Sequence, residues 1–588
     1  MLLNRKIDYE KELNPAQLES VMASEGPVLI LAGAGSGKTR VLIYKVAYLL
    51  EKGVKPEEIL LVTFTNKAAR EMLTRVKSLL GFEVNGLWGG TFHHVANLFL
   101  RKYHIEVDFS GNFGIMDEED AKNLMSLCRK EKSNDFPAEK FARANLLKAV
   151  LSYSINGLSS IDDVLESRFP ELIKYKELLE EIFSSYNTRK RKNQLMDFDD
   201  LLYYLYALLT GEGHVREILI NKFKYILVDE YQDTSPVQAR IIDEFSLGSR
   251  NLIVVGDDAQ SIYSFRGAEF KNILEFPQRY PDVKIYMLEY NYRSTPEILN
   301  LANAIIRNNK NQFPKKLKTT CSKGVYPLVV AVRNVYEQGQ YVVSSIEKLA
   351  DSGIPLENMA ILYRSHFHSM ELQMELTKRR IPFSIHSGYR FFEQAHIKDI
   401  LAFLKILENK RDELAWRRIF NIYEGIGPKT REKVLTRLIF SHDPIAYVLS
   451  EDIINDLHSK GRVSWKLFQK NFKQLIEEKE ETSPAYLIKF ILEANYIDYL
   501  QAKYENFRER KDDIEHLANF SLQYNSLVDL LAEVALQEEI NRNDMMFKER
   551  TKNDKLTLTT IHRAKGLEWE VVFILYLTHG YFPVSQSY

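Results

Sequence analysis

The fold is decided by residues 28–39, VLILAGAGSGKT. The apolar run from Val28 to Leu31 predicts a buried strand, and a helix is predicted to begin at Lys38 after a glycine-rich turn. Glycines let backbone N–H groups curl around an anionic phosphate, and the N-terminus of the following helix adds the positive end of its dipole. The pattern therefore predicts a phosphate-binding loop, with a purely structural glycine-rich turn as the alternative.

A second stretch, YILVDE at residues 225–230, ends an apolar run with two carboxylates. In the predicted loop, Lys38 would reach the β- and γ-phosphates of a nucleoside triphosphate, and the Thr39 hydroxyl would ligate Mg²⁺. Asp229 suits the surroundings of that Mg²⁺, and Glu230 suits the base that orients or deprotonates the attacking water. Alone, an apolar run that ends in Asp-Glu is an ordinary strand end. Together with the glycine loop it predicts Mg²⁺-dependent nucleoside triphosphate hydrolysis.

The segment LNPAQ, residues 13–17, precedes the loop. Asn14 followed by Pro15 is typical of a helix N-cap with a first-turn proline. The amide of Gln17 presents one donor and one acceptor, which is the pairing that reads the N6/N7 edge of adenine. On the residues alone, helix capping and adenine recognition both stay open.

Length and charge limit the number of domains and the classes of function that are possible. The chain has 588 residues and a formal net charge of −1, with 79 Lys and Arg against 80 Asp and Glu. This length predicts about three to five domains, and any nucleic-acid surface must be local because there is no overall basic excess. With only Cys128 and Cys321, a disulfide framework and a cysteine-built zinc site are excluded. No signal peptide and no run of about 20 uncharged apolar residues is present, which predicts a cytoplasmic protein without a membrane partner.

Two kinds of sequence alternate along the chain. Short apolar runs followed by polar turns occur in EILLVTFTNKAAREM, FKYILVDEYQD, NLIVVGDDAQ and KLTLTTIHRAKGLEWEVVFILYL, and they predict buried parallel strands with crossover helices. Other regions carry apolar residues at helical spacing among many charges. The prediction is an α/β fold with two cores, each interrupted by a mainly helical insertion. The first core is 1–103 and 193–290 with insertion 104–192, and the second is 291–392 and 554–588 with insertion 393–553.

The motifs occur in a recognisable order: LNPAQ, AGAGSGKTR, LLVTFTNKAAREM, GTFHHVANLFLRKY, MDFDDLL, VDEYQDT, VVGDDAQSIYSFRGA, LEYNYRS, ILYRS, FFEQAHIKD and TIHRAKGLEWEVVF. In this order they resemble the UvrD/Rep/PcrA-type superfamily 1 DNA helicases over nearly the whole chain. That family regularly has Ala at the position of Ala32, where the strict phosphate-loop pattern has Gly. The resemblance implies two RecA-like P-loop cores with parallel sheets. It also implies an ATP-dependent 3′→5′ DNA helicase or translocase that acts in DNA repair or replication.

The resemblance implies an ATP site with residues from both cores. Gln17 would read adenine and Tyr292 would stack on it, Arg293 would contact the γ-phosphate from the second core, and Gln260 would sense the γ-phosphate and transmit its state to the DNA. The residues implied in catalysis are Glu230, Lys38, Gln260 and Arg293. Those implied in binding ATP are Gln17, Ala32, Gly33, Ala34, Gly35, Ser36, Gly37, Lys38, Thr39, Arg40, Tyr292, Arg293 and Glu568, and those implied in holding Mg²⁺ are Thr39 and Asp229.

Single-stranded DNA needs aromatic faces for its bases and donors for its phosphates. The run SIYSFRGA offers Tyr263, Phe265 and Arg266, and the family often has Trp at the position of Phe265. Structural alternatives stay open, since Thr65 is also a candidate helix N-cap and His93 an ordinary first-turn residue. The residues implied in contacting DNA are Phe64, Thr65, Thr91, Phe92, His93, Tyr263, Phe265, Arg266, Tyr363, Arg364 and His562.

Weaker signals concern other DNA contacts and partners. Basic runs lie at 101–104, 188–193, 315–318 and 378–380, although a charge run is usually a solvated face. The segment EGIGPKT, 424–430, resembles half of a helix-hairpin-helix phosphate clamp, with a structural turn as the alternative, and its surrounding insertion is a candidate for duplex contact. The expected partners are single-stranded DNA, single-strand/duplex junctions and repair proteins, and the expected oligomeric state is a monomer or weak dimer.

One departure from the family matters. Relatives continue past the VVF strand to a motif with a second γ-phosphate arginine, and no such motif precedes Tyr588. The expectation is a chain truncated relative to the family, or a deviant form with weak ATPase coupling. The alternative function is therefore an ATP- and DNA-binding protein that has lost unwinding activity. A metabolite kinase that shares only the phosphate loop does not explain the later motifs.

Overall fold

The structure is a computed structural model that describes residues 7–23, 25–132, 144–264, 267–385, 391–423, 426, 428–457, 459–479, 482–504, 507–522, 524–531, 534 and 554–583. The chain divides into two compact units, Met1–Val329 and Val330–Tyr588. Each unit contains a parallel sheet, which confirms the predicted α/β class.

The first unit is built on a six-stranded sheet in which every strand runs parallel to its neighbours. The strands of this unit are β1 (Val28–Ala32), β2 (Ile59–Thr63), β3 (Trp88–Thr91), β4 (Gly114–Ile115), β5 (Leu195–Met196), β6 (Tyr225–Val228), β7 (Leu252–Gly256), β8 (Lys284–Leu288), β9 (Tyr290–Asn291) and β10 (Lys318–Thr319). The spatial order in the large sheet is β3-β2-β6-β7-β1-β8.

Helices cover both faces of this sheet. The helices of the first unit are α1 (Tyr9–Glu12), α2 (Pro15–Val21), α3 (Lys38–Glu51), α4 (Asn66–Leu80), α5 (Phe92–Lys102), α6 (Glu118–Lys132), α7 (Ala144–Gly157), α8 (Ile161–Arg168), α9 (Lys176–Lys192), α10 (Phe198–Thr210), α11 (His214–Ile220), α12 (Pro236–Ser246), α13 (Lys271–Leu274), α14 (Phe276–Arg279) and α15 (Pro296–Ile306). One core packs against α5, α10 and α12, and the other against α3 and α4. Because both faces are buried, the central strands are apolar throughout rather than alternating.

The order of the central strands sets the position of the site. β7 lies between β1 and β6, with Val28 in register with Ile253 and Ile226 in register with Leu252. Parallel strands end at the same edge of a sheet, and ligands of open α/β sheets bind at the carboxyl ends of the strands. The residues that follow β1, β6 and β7 therefore lie side by side.

Helices α6 to α9 form a helical body within the first unit. It has its own apolar core, in which Leu147, Phe183 and Tyr186 are buried. The short parallel pair β4–β5, with Gly114 opposite Leu195, joins the segments that enter and leave this body. The insertion thus stays attached to the sheet domain through backbone hydrogen bonds as well as side-chain packing.

The second unit has a four-stranded parallel sheet in the order β12-β13-β11-β14. Its strands are β11 (Met359–Tyr363), β12 (Phe383–Ile385), β13 (Leu556–Thr560) and β14 (Val571–Ile574). Its helices are α16 (Val335–Asp351), α17 (Met370–Lys378), α18 (Ala395–Glu408), α19 (Glu413–Phe420), α20 (Pro428–Phe440), α21 (Pro444–Leu449), α22 (Glu451–Asp456), α23 (Ser459–Glu478), α24 (Pro484–Ile491), α25 (Ile497–Lys503), α26 (Phe507–Ser521) and α27 (Ile561–Ala564).

A second helical body lies between β12 and β13 in the chain. Its core includes the buried side chains of Trp416, Trp465 and Phe468. The two parallel-sheet cores with mainly helical insertions are confirmed, whereas the exact domain boundaries stay a prediction. Among the described residues, no helix combines the length and the apolar character that crossing a membrane requires.

Candidate active site

The loop between β1 and α3 is a tight turn that depends on glycine. Gly35 and Gly37 have φ angles of 67° and 87°, in the left-handed region that favours glycine. A Cβ atom at Gly37 would lie 2.7 Å from Nε2 of Gln17. The Ser36 hydroxyl donates to the carbonyl of Gly33 at 2.7 Å and closes the turn. Loop N–H groups followed by a helix N-terminus are an arrangement that binds anions in proteins, and phosphate binding by this loop stays a prediction.

Charged and polar side chains from three strand ends meet beside this loop. Lys38 Nζ lies 3.2 Å from Oε2 of Glu230 and donates to Oε1 of Gln260 at 3.3 Å. The Thr39 hydroxyl donates to Oδ2 of Asp229 at 3.4 Å. The structure thus brings together the loop, the Asp-Glu pair after β6 and the glutamine after β7.

Asp229 is a buried carboxyl beside the negative charge of Glu230. Burial, and then the negative charge of Glu230, raise the pKa of Asp229 above its usual range. Among the described residues, no group of three or more His, Cys, Asp or Glu side chains is arranged to hold a metal ion. Mg²⁺, however, typically takes only one or two protein oxygens together with substrate phosphates and water. The hard oxygen donors of Thr39 and Asp229 fit that chemistry.

Glu230 has an unusual backbone. Its φ of 51° is left-handed, which is uncommon for a residue with a side chain. Its N–H donates to Oδ1 of Asp229 at 3.0 Å, which stabilises this conformation. Such backbone strain is concentrated at functional sites in proteins. The turn directs the carboxylate of Glu230 toward Lys38 rather than back into the sheet.

Gln17 already uses both ends of its amide. Asn14 caps α2 and accepts the N–H of Gln17, while Oε1 of Gln17 accepts the N–H of Asn14, as the capping alternative predicted. Its Nε2 donates to the carbonyl of Ser36 at 2.9 Å, and the residue is only 2% exposed. Adenine recognition by Gln17 stays a prediction, and it would use the second N–H of Nε2 and the second lone pair of Oε1.

Tyr292 and Arg293 lie beside the phosphate loop within the first compact unit. The Tyr292 N–H donates to the carbonyl of Gly35 at 2.9 Å, and Asn14 Nδ2 donates to the Tyr292 hydroxyl at 2.6 Å. The Tyr292 ring is 47% exposed, so it has a face to offer a base. A Cβ atom at Gly35 would lie 2.7 Å from Cβ of Arg293, which shows how closely the two segments approach.

Arg40 makes its hydrogen bonds with Glu12 and Tyr44. Its Nη2 donates to the backbone carbonyl and to Oε2 of Glu12, both at 2.8 Å, and its guanidinium lies over the Tyr44 ring at 5.0 Å. In this structure its contacts are with α1 and its own helix. Glu568 belongs to the second unit, where it lies between α27 and β14.

Two of the candidate DNA contacts form an aromatic pair. The rings of Phe64 and Tyr263 are stacked with centroids 5.5 Å apart and an interplanar angle of 14°. Phe64 follows β2 and Tyr263 follows β7, so the pair lies at the same sheet edge as Lys38. Both rings are partly exposed. Phe265 and Arg266 lie outside the described residues, as do Gly425 and Gly427 of the EGIGPKT segment.

Other candidate DNA residues have structural roles here. Thr65 caps α4 by accepting the N–H of Ala68 at 3.1 Å, and Thr91 caps α5 by accepting that of His94 at 3.3 Å. Phe92 is buried in the sheet core. These contacts realise the capping alternative and leave contact with DNA as a prediction.

His93, Tyr363, Arg364 and His562 complete the candidate DNA set. His93 packs edge-on against Phe198 with ring centroids 5.6 Å apart, and burial lowers its pKa. In the second unit, Tyr363 ends β11 with 0% exposure, so its ring faces the core rather than presenting a face for a base. Arg364 follows it directly, and His562 lies in α27. Both are partly exposed.

Two of the basic runs that were weak signals for DNA contact contain buried lysines. The Lys190 side chain is 3% exposed and lies 3.2 Å from Oδ2 of Asp197 and 2.6 Å from Oδ2 of Asp200. Burial alone would raise the pKa of Asp197, but Lys148 and Lys190 hold it well below its usual range. Lys315 is likewise buried against acidic residues. These lysines are therefore not available to DNA phosphates in this structure.

Gln232 and Asn291 are site residues that sequence reasoning missed. Gln232 is fully buried, its Nε2 donates to Oε2 of Glu230 at 2.5 Å, and its Oε1 accepts the N–H of Asp257 at 2.9 Å. Asn291 donates from Nδ2 to the carbonyl of Ala34. The sequence carried a signal for each residue. Gln232 lies only two residues after the predicted base Glu230. Asn291 precedes a polar turn, and Asn at such a position typically accepts backbone N–H groups.

Comparisons with known proteins agree with this geometry. The family model described as UvrD/REP helicase N-terminal domain matches residues 13–281, and that described as UvrD-like helicase C-terminal domain matches residues 286–588. The ATP-dependent DNA helicase PcrA of Bacillus subtilis (strain 168) is 35% identical over 588 residues, covering 98% of this chain and 78% of the relative. The PcrA of Staphylococcus epidermidis is 35% identical over 587 residues, and that of Staphylococcus aureus is 34% identical over 586 residues; each alignment covers 97% of this chain and 78% of the relative. Because the two models together match nearly the whole sequence, the chain belongs to the UvrD/REP helicase family.

Proposed function

We propose that this helicase hydrolyses ATP at residues 32–39 and uses the energy to move 3′→5′ along single-stranded DNA, separating the duplex ahead of it. The observation that supports this proposal is the convergence of Lys38, Glu230 and Gln260, with Lys38 Nζ within 3.3 Å of both partners, at the edge of the parallel sheet. Phosphoryl transfer needs this combination of a cation, a carboxylate and a sensor of the γ-phosphate.

In the proposed reaction, each residue has one task. Lys38 neutralises charge on the β- and γ-phosphates, and the carboxylate of Glu230 orients and deprotonates the attacking water. Arg293 stabilises the negative charge that develops on the γ-phosphoryl oxygens. Thr39 and Asp229 would hold Mg²⁺, which neutralises phosphate charge when bound. Lys38 also pairs with Glu230 at 3.2 Å, which keeps the proposed base beside the phosphate loop.

Coupling to DNA follows from the chain between β7 and the aromatic pair. Gln260 contacts Lys38, and Tyr263 stacks on Phe64 only three residues further along. A displacement of Gln260 when the γ-phosphate is lost would therefore move a base-stacking surface. We propose that this short segment links hydrolysis to alternating grip on the strand.

The biological setting is proposed on the family alone. DNA repair or replication, cytoplasmic location, junction DNA and repair proteins as partners, and a monomer or weak dimer are the proposals. The alternative, an ATP- and DNA-binding protein without unwinding activity, is not favoured, because the family models match both halves of the chain. The relatives that match it at 34–35% identity are named as ATP-dependent DNA helicases.

ATPase and strand-displacement assays test the proposal together. ATP turnover is measured with and without a single-stranded oligonucleotide, with Lys38→Ala as the blank. We expect DNA to accelerate turnover, and a duplex with a 3′ tail to be separated while one with a 5′ tail is not. Turnover that is indifferent to DNA contradicts the motor. Separation of only the 5′-tailed duplex contradicts the proposed polarity.

A further inference from the structure

Two adjacent carboxylates follow β7 directly and share one buried lysine. Asp257 and Asp258 both form ion pairs with Lys315, which reaches them from the segment after α15. The three side chains are 4%, 2% and 7% exposed, respectively. Burial alone would lower the pKa of Lys315, but the two carboxylates raise it, so the ammonium stays charged. The cluster is a buried ion triad rather than part of a solvated basic surface.

Asp257 connects this triad to the candidate active site by two routes. Its Oδ2 accepts Nε2 of Gln260 at 2.6 Å, and Oε1 of Gln260 accepts from Lys38. Its backbone N–H donates to Oε1 of Gln232 at 2.9 Å, and Nε2 of Gln232 donates to Oε2 of Glu230 at 2.5 Å. Asp257 therefore holds, through single hydrogen bonds, both the proposed γ-phosphate sensor and the partner of the proposed base.

Gly256 leaves the space that the Gln232 side chain occupies between Asp257 and Glu230. A Cβ atom at Gly256 would lie 2.6 Å from Oε1 of Gln232 and 2.6 Å from Cδ1 of Ile273. The bridging amide therefore fits only because the last residue of β7 has no side chain. Gly256 therefore leaves room for Gln232 in the position in which it contacts Glu230.

The segment that carries Lys315 is fixed at several points. The N–H of Phe313 donates to Oδ2 of Asp258 at 3.1 Å. Asn303 in α15 bonds both the N–H and the carbonyl of Leu317, at 3.1 Å and 2.9 Å. The Leu317 side chain occupies the space beside Gly33 that a Cβ atom would need. The position of Lys315 is thus determined by the same segment that packs against the phosphate loop.

We propose that Lys315 is a positioning residue for ATP hydrolysis. By neutralising and orienting Asp257, it sets the position of Gln260 and, through Gln232, of Glu230. This inference rests on the proposed function, in which Glu230 directs the attacking water and Gln260 senses the γ-phosphate. Lys315 acts through its neighbours and does not need to touch the nucleotide.

The test compares Lys315→Met with Lys318→Met. Lys318 lies in the same basic run, but its side chain is exposed and pairs with Glu289 at 3.1 Å. DNA-stimulated kcat and the Kd of a fluorescent ATP analogue are measured for both variants. Misplacement of the sensor and the base predicts that kcat falls about 10- to 100-fold in Lys315→Met, while the Kd changes less than about threefold. Lys318→Met is expected to match the wild-type protein in both measurements.

Loss of Lys315 leaves two buried carboxylates unpaired, so the single variant can unfold. The double variant Lys315→Met/Asp258→Asn removes one of those charges and restores the melting temperature, but it still lacks the partner of Asp257. We expect its kcat to remain low. A double variant that folds and hydrolyses ATP at the wild-type rate overturns the proposal, as does an equal loss of kcat and nucleotide affinity.

Glu230→Gln in the same assay separates this inference from the proposed function. If Glu230→Gln abolishes turnover while the double variant is fully active, only the role of Lys315 is wrong. If Glu230→Gln retains turnover, the proposed role of Glu230 is wrong, whatever the lysine variants show.

Discussion

The side-chain amide of Asn291 donates a hydrogen bond to the carbonyl oxygen of Ala34, 2.6 Å away in the phosphate loop. Its Oδ1 also accepts the N–H groups of Arg293 and Ser294, at 2.9 Å and 2.7 Å. One buried side chain therefore fixes the turn that carries Tyr292 and Arg293 and attaches this turn to the loop.

We predict that Asn291→Ala weakens nucleotide binding. Each buried polar group left without its partner costs about 1–3 kcal/mol, and release of the turn moves Tyr292 and Arg293 away from the loop. The KM for ATP is expected to rise about 5- to 150-fold, as that free energy implies. Steady-state ATPase assays measure it, with the exposed Asn309→Ala as the control. An unchanged KM would show that the two segments stay together without this amide.

Tyr263→Ala tests the stacked pair as a DNA contact. Base–aromatic stacking contributes about 1–3 kcal/mol per base, which corresponds to roughly 5- to 150-fold in affinity. Fluorescence anisotropy with a labelled oligonucleotide measures the loss. The matched control is Tyr225→Ala. Tyr225 is also partly exposed, but it begins β6 and therefore lies at the opposite edge of the sheet from Tyr263, which follows the end of β7. If both variants bind DNA equally well, the pair is only structural.

Lys190→Met is expected to destabilise the first unit rather than to weaken DNA binding alone. Removing one partner of a buried charge pair costs about 3–5 kcal/mol, because Asp200 loses its lysine and Asp197 keeps only Lys148. Urea unfolding followed by circular dichroism measures this change. Lys192→Met removes an exposed charge from the same run, and its midpoint should stay at the wild-type value. Equal midpoints for the two variants would contradict a structural role for Lys190.

Stability of the second unit should fall as the pH rises from about 4.5 to about 7. Burial raises the pKa of Glu371, in α17, to about 7. The folded state thus favours the protonated carboxyl, so the stability it contributes is complete below the unfolded pKa and is lost above the folded pKa. Glu371→Gln removes this dependence and is expected to be more stable than wild type by about 2–3 kcal/mol at pH 8.

Melting temperatures between pH 4 and pH 9 test this expectation. The control is Glu451→Gln, which changes an exposed carboxyl at the start of α22. Parallel pH profiles for wild type and Glu371→Gln would contradict the prediction.

Local sequence patterns predicted the parts of the site that depend on neighbours in the chain. Lys38 and Thr39 follow a strand and three glycines, and Asp229 and Glu230 follow another apolar run. Each of these two parts of the site can therefore be predicted from a short stretch of sequence. The rule that parallel strands end at one edge then predicts their proximity. The helical bodies were likewise visible from apolar residues at helical spacing.

Contacts between distant segments could not be read in this way. Lys315 was a weak signal for DNA contact, with a solvated face as the alternative, because three of the four residues in KKLK are basic. Its acidic partners lie nearly sixty residues earlier. Tyr363 was expected to contact DNA, but it ends the central strand β11 and its side chain is fully buried in the core of the second unit. For Lys315 and Tyr363, the side-chain type indicated which partners each residue could bind. Whether each side chain is buried depends on tertiary packing, which a short stretch of sequence does not show.

The missing side chain of Gly256 has a consequence for natural variation. The residue has no contact with nucleotide or DNA in the proposed mechanism, yet even a single methyl group there would collide with the amide that supports Glu230. Replacement by alanine should therefore be tolerated only together with a shorter or differently shaped neighbour at Gln232 or Ile273. Selection for catalytic rate would then preserve the space beside Gly256. Substitutions at Gly256, Gln232 and Ile273 should therefore occur together or not at all.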